Sequence, residues 1–130
     1  MKRTLFIITS IVLVMSLIWA CTDRNEPMQD VDQTELARLY KDIEKSAQQF
    51  TCENAGEWKF TAIGAKACGG ASAYIAYSVK IDESTFLKKV ELFTKLQADY
   101  NQKYGVYSDC ALVIQPKGVT CENGKPKFTY

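Results

Sequence analysis

Cysteine is the side chain best equipped for chemistry in this 130-residue chain, which carries five cysteines and no histidine. The missing imidazole removes the Ser-His-Asp and Cys-His arrangements, and with them every zinc site that uses histidine. A zinc site of four cysteinates is normally built from Cys-x-x-Cys steps, and the chain has none. A reactive thiol likewise has no Cys-x-x-Cys partner and no histidine to lower its pKa. The carboxylates Glu53, Glu57, Asp82, Glu83, Asp109 and Glu122 are the acid–base candidates. Glycoside hydrolysis needs two carboxylates held at a fixed separation across one bond, and nothing in their spacing pairs any two of these. Asp82 reads better as a helix cap and Asp109 as a turn residue. Ser78 and Ser108 lack an imidazole base, so a serine–lysine pair would need Lys66 or Lys80 desolvated beside a serine. Asp30-Val-Asp32 lacks the further oxygen ligands and the glycine of a calcium loop. The reading is a non-enzyme with no catalytic residue, metal or cofactor, and a small histidine-independent hydrolase is the alternative that these residues leave.

The amino terminus has a pattern of its own. Met1-Lys-Arg3 is followed by an apolar run, Leu5 to Ile18, broken only by Thr9, Ser10 and Ser16, and then by Trp19-Ala20-Cys21. The stretch resembles the signal peptide of bacterial lipoproteins, with Ile18, Trp19 and Ala20 at the lipobox positions and Cys21 as the acceptor. That resemblance implies a signal of residues 1–20 and a diacylated, usually triacylated, Cys21. Two or three acyl chains hold a protein stably in a membrane where one binds reversibly. The apolar run is short for a transmembrane helix, which needs about 20 residues. Thr22, rather than aspartate, follows Cys21. In Gram-negative lipoproteins this resembles outer-membrane sorting, so the expected location is the cell envelope, lipid-anchored.

Without Lys2 and Arg3 the chain carries 14 basic and 15 acidic side chains, a net charge near −1. Nucleic acid needs a positive field to offset its phosphates, and a polybasic membrane patch needs the same. Neither partner is expected; a protein of the envelope is.

If Cys21 carries lipid, Cys52, Cys68, Cys110 and Cys121 remain. An even number in an oxidising compartment implies two bridges, with three pairings available. Cys52–Cys68 and Cys110–Cys121 are favoured, because residues 57–63 would fold the first pair back and a turn near Pro116 would fold the second across a hairpin. A weak echo keeps Cys52 with Cys121 open: Thr51-Cys-Glu-Asn54 is repeated as Thr120-Cys-Glu-Asn123, and similar turns can be neighbours.

The elements that would position these residues follow from periodicity. Residues 21–31 are polar with one proline and read as a flexible tether. Residues 32–130 read as a single domain. Within it, Leu36, Leu39, Tyr40, Ile43, Ala47 and Phe50 repeat at helical steps, predicting an amphipathic helix over 32–50. Residues 57–63 alternate as a strand with Trp58 and Phe60 inward. The stretch Gly64 to Ser78 (GAKACGGASAYIAYS) is the expected organising centre, a bend at Cys68-Gly-Gly70 followed by a buried run that is a strand or a short helix and strand. Phe86, Leu87, Val90, Phe93, Leu96, Tyr100 and Tyr104 predict a second helix over 82–104, stopped by Gly105. Ala111 to Gln115 and Val119 to Cys121 read as strands, Asn123-Gly124 as a type I′ turn, and Lys125 to Tyr130 as the last strand. Residues 58–121 also resemble small exported bacterial proteins of unassigned function, which implies a shared scaffold and no activity.

The expected fold is therefore α+β, two amphipathic helices packed on a small antiparallel sheet of three to five strands and stapled by two disulfides. The expected function is a non-catalytic binding or accessory module of the envelope. The alternative is an inhibitor or immunity-type protein that blocks a hydrolase through a disulfide-held loop, with Ala65–Ala71 and Glu122–Lys125 as the candidate loops. The binding surface is expected at Trp58 and Tyr107 and at the turn Glu122, Asn123, Gly124 and Lys125.

Overall fold

The computed structural model describes residues 26–130. The signal-like leader and Cys21 lie outside the described residues. The chain divides into two units, Met1–Asp30 and Val31–Tyr130.

Helix α1 spans Glu26–Ala47. It begins within the stretch expected as a tether and ends three residues before Phe50. Pro27 falls in its first turn, where a helix loses no hydrogen bond to proline. Residues 27–31 contain no glycine to interrupt it. The predicted stripe is the buried one: Ile43 and Ala47 are in the core, with Leu36, Leu39 and Tyr40 packed against it. Helix α2 spans Glu83–Lys103 and buries Phe86, Val90 and Phe93. Asp82 caps it, accepting from Thr85 N at 3.1 Å and from Thr85 Oγ1 at 2.7 Å. Two ion pairs join the helices. Lys89 Nζ reaches Asp42 at 2.6 Å and Lys103 Nζ reaches Asp32 at 2.7 Å. The Lys103 ammonium and the Tyr104 hydroxyl hold Asp32 below the usual carboxylate range.

Strands β1 (Trp58–Ile63) and β2 (Ala73–Ser78) pair antiparallel, from Trp58 opposite Ser78 to Ile63 opposite Ala73. The run after the cysteine bend is thus a strand. Side chains alternate across a sheet, so Ile63, Ala73, Ile75 and Tyr77 share the face that meets the helices in the core. Trp58, Phe60 and Ala62 point the other way. That second face is also covered, by a hairpin of β3 (Gly118–Glu122) and β4 (Lys125–Thr129). Phe60 meets Phe128 edge-on at 6.1 Å and Tyr74 at the same distance. The expected inward row of β1 therefore faces the hairpin, and Ile63 rather than Trp58 joins the helical core.

The fold is α+β, with the strands in two separate two-stranded antiparallel sheets rather than one of three to five strands. Asn123 and Gly124 take φ of 52° and 74°, and make the expected tight turn. Residues 111–115 are not a strand. Leu112 and Ile114 stand 93 % and 72 % exposed. β-branched and apolar residues favour strands through pairing and burial, and this run has neither.

Tyr77 gives the core a titratable marker. Its hydroxyl donates to Glu83 Oε1 at 2.8 Å, and Glu83 also accepts from Lys59 Nζ at 3.0 Å. Burial, with the Glu83 carboxylate beside it, pushes Tyr77 up to about 12. An unfolded tyrosine ionises near about 10, so the folded state favours the neutral phenol. This contribution to stability is complete below about pH 10 and is lost as pH rises through about 12. An ultraviolet phenolate titration should show a late step that Tyr77→Phe removes. A late step that survives the substitution would assign it elsewhere.

Candidate functional site

One disulfide is present among the described residues, and it joins neither of the favoured pairs. Cys52 is bonded to Cys121, with Cα atoms 5.3 Å apart. Cys52–Cys68 and Cys110–Cys121 are therefore both overturned. The physical reason is the stacking of the second hairpin on the segment before β1: Cys52 N donates to Gly124 O at 2.9 Å, which sets the two echoing turns side by side. Cys52 is buried, so this bridge is part of the packing.

Cys68 and Cys110 are exposed thiols, and they meet each other. Cys68 sits at the tip of the loop between β1 and β2, which is built on Gly64. Gly64 has φ of 74°. Helix α2 clamps the start of this loop with three side chains on one face. Thr94 Oγ1 accepts from Gly64 N at 2.9 Å, Gln97 Oε1 accepts from Ala65 N at 2.8 Å, and Asn101 Nδ2 donates to Ala65 O at 2.8 Å. Beyond the clamp the loop closes on itself, with Lys66 N donating to Gly70 O and Gly69 N to Lys66 O, both at 3.0 Å.

Cys110 lies on the segment that leaves α2. The helix ends with Gly105 at φ 58° and with Val106 N donating to Asn101 O at 3.0 Å, a glycine-stopped terminus. Asp109 then accepts from Ala111 N at 3.2 Å, and Cys110 takes φ of 55°. Lys66 crosses between the loops. Its Nζ donates to Asp109 Oδ1 at 3.2 Å and to the Ala111 carbonyl. The side chain of Lys66 is only 18 % exposed. At this junction the Cys68 and Cys110 sulfurs lie near one another, close to bonding. The hydrogen bond from Cys110, helped by Ser108, the loop backbone and the Lys66 charge, lowers Cys68 below the usual thiol range. The same contact raises Cys110. Asp109 is lowered, chiefly by the Ala111 amide and then by Lys66.

This arrangement suits thiol–disulfide exchange better than acid–base work. Five of the six candidate carboxylates are committed: Glu57 to Lys80 at 2.6 Å, Glu122 to Lys127 at 2.6 Å, Glu83 to Lys59, Asp109 to Lys66, and Asp82 to its cap; Glu53 stands exposed. Both lysines that could have served a serine are ion-paired, and Ser78 is buried with 1 % exposure. Among the described residues no three His, Cys, Asp or Glu side chains group as a metal site.

The expected binding residues fall in different places. Trp58 is 7 % exposed and is withdrawn as a surface residue, because the hairpin side of the sheet is covered. Tyr107 is 93 % exposed. Glu122, Asn123 and Lys125 are exposed on the β3–β4 turn, but Gly124 is seated against Thr51 and Cys52. That turn and Tyr107 belong to different loops. Leu112, Ile114 and the Lys66–Asp109 link went unseen in the sequence. The signal available was a lysine two residues before Cys68 and an aspartate one residue before Cys110. Comparison with family models, with curated proteins and with solved structures finds no match.

Proposed function

We propose that this protein is a lipid-anchored protein of the bacterial cell envelope, held in the membrane through Cys21, and that it works by binding an envelope protein through residues 105–115. The lipoprotein-like leader supports the anchor. The observation that carries the binding reading is the exposure of Tyr107 (93 %), Leu112 (93 %) and Ile114 (72 %) on one segment rooted by Lys66. Single exposed apolar residues are ordinary, but several on a short held segment mark an interaction site. The tie of Lys66 to Asp109 and to the Ala111 carbonyl also suits the inhibitor reading, in which the occupant of the segment is the cleft of a hydrolase.

A photo-crosslinking residue placed at Leu112 in cells should capture a defined envelope protein, whereas one at the exposed Lys41 of α1 should not. Tyr107→Ala with Leu112→Asp should weaken capture roughly 10-fold or more, the loss typical of one or two hot-spot residues. The melting temperature should hardly change, because both side chains lie in solvent. Equal, diffuse crosslinking from both positions would defeat the binding reading. Mass spectrometry of the membrane-extracted protein that finds Cys21 without an acyl chain would defeat the anchor. A captured hydrolase that loses activity on binding would decide for the inhibitor.

A further inference from the structure

We propose that Cys68 and Cys110 form a reversible disulfide clasp, closed by exchange with an external disulfide, whose state governs how tightly residues 105–115 are held against the β1–β2 loop. The inference rests on the reading of that segment as the recognition element and adds its regulation.

Three features of the structure lead to it. Cys68 and Cys110 sit on two loops that Lys66 brings together through Asp109 and the Ala111 carbonyl, with the two sulfurs close to bonding. Both are exposed, whereas Cys52 of the other pair is 2 % exposed. Exchange proceeds by attack of a thiolate on an accessible sulfur, so exposure separates a labile pair from an inert one. The non-covalent tie at the same place is slight: Lys66 to Asp109 and to the Ala111 carbonyl. Asp109 is 75 % exposed in that ion pair, and exposed ion pairs hold weakly. With the thiols reduced, residues 106–115 are thus fastened by little beyond Lys66.

The chemistry balances as two successive exchanges. The Cys68 thiolate, favoured by its lowered pKa, attacks one sulfur of an incoming disulfide, either a small-molecule disulfide or a thioredoxin-fold oxidase. The first leaving thiolate departs, and a mixed disulfide forms on Cys68. Cys110 loses its proton to solvent and attacks the Cys68 sulfur, which expels the second thiolate. One Cys68–Cys110 bond has formed, and the two electrons and, by way of solvent, the two protons given up by the cysteines have turned the incoming disulfide into two thiols. A dithiol reverses the sequence.

The test uses the full chain in detergent, equilibrated in oxidised and then in graded reduced glutathione or dithiothreitol. Differential alkylation with peptide mass mapping reads the bonds, and amide hydrogen exchange reads the segment. Oxidation should yield Cys68–Cys110 beside Cys52–Cys121. Half-reduction of Cys68–Cys110 should need at least about 10-fold less dithiothreitol than Cys52–Cys121, as expected for an exposed bridge. On its reduction, amides 106–115 should exchange at least about 10-fold faster while those of α2 around Phe93 do not change. C68S/C110S should reproduce the fast exchange under oxidising conditions. Free thiols at both positions in oxidised buffer, intermolecular dimers through them, or equal exchange in the two states would each overturn the proposal. None of these readouts involves a partner, so failure here leaves the crosslinking result from Leu112 standing on its own.

Discussion

Removing the Cys52–Cys121 bridge should lower the unfolding free energy by about 4 kcal/mol. The bridge closes a loop across a sequence separation of 69, and restricting an unfolded chain over that span is worth about this much on the loop-entropy relation. The consequence is local as well as global. A two-stranded hairpin is marginal by itself, and β3–β4 is fastened to the rest by this bond, by the Cys52 amide on Gly124 and by Phe128 on Phe60. Losing the bond should therefore loosen the hairpin first and expose the Phe60 face of the sheet. In a domain of this size the midpoint of thermal unfolding should fall by roughly 20 °C. The measurement is urea unfolding of C52A/C121A in a C68S/C110S background, where Cys52–Cys121 is the bridge being compared. A loss under about 1 kcal/mol would mean that packing alone seats the hairpin, against the loop-entropy expectation.

What the sequence made legible was local. The stripes of α1 and α2 repeat within one turn of helix, so Ile43, Ala47, Phe86, Val90 and Phe93 could be placed in a core before any packing was known. Asp82 as a cap and Asn123-Gly124 as a turn depend on neighbours three residues away or closer. Apart from the bounds of α1, the errors concern contacts between distant segments. Cysteine pairing depended on which hairpin stacks on which strand, and the alternation of β1 could not reveal that its second face would be covered too. Residues 111–115 had the composition of a strand, but composition does not supply a partner strand. The junction of Lys66, Cys68, Asp109 and Cys110 joins residues more than 40 positions apart, and no periodic pattern connects them. The organising role expected of Gly64 to Ser78 holds in part: this stretch supplies one strand of the central pair and the loop that carries Cys68.

The loop's foundation yields the second large effect. Gly64→Ala should destabilise the protein by roughly 2–5 kcal/mol, from two sources that act together. At φ of 74° any β-carbon is strained. At this position the added methyl would also overlap Ser72 Oγ and Gln97 Oε1, and touch Phe93 Cε1 at 3.4 Å. Neither oxygen can simply yield. Ser72 Oγ lies 3.1 Å from both Ile63 O and Gln97 Oε1, and Gln97 accepts from Ala65 N. Moving them would leave polar groups at the edge of the core unsatisfied. Gly69 and Gly70 provide the internal control, since both have positive φ but nothing within 4 Å of an added Cβ. Alanine at either should cost only the backbone term, about 1–2 kcal/mol. Urea unfolding of the three variants separates the contributions, and equal losses at all three would show that crowding at Gly64 has no role. The substitution should also reach the thiols. Lys66 and Cys68 stand two and four residues beyond Gly64 on the same short loop, so a displaced clamp should slow Cys68–Cys110 bond formation in oxidised glutathione. Cys52–Cys121, fixed by the other hairpin, should form as before.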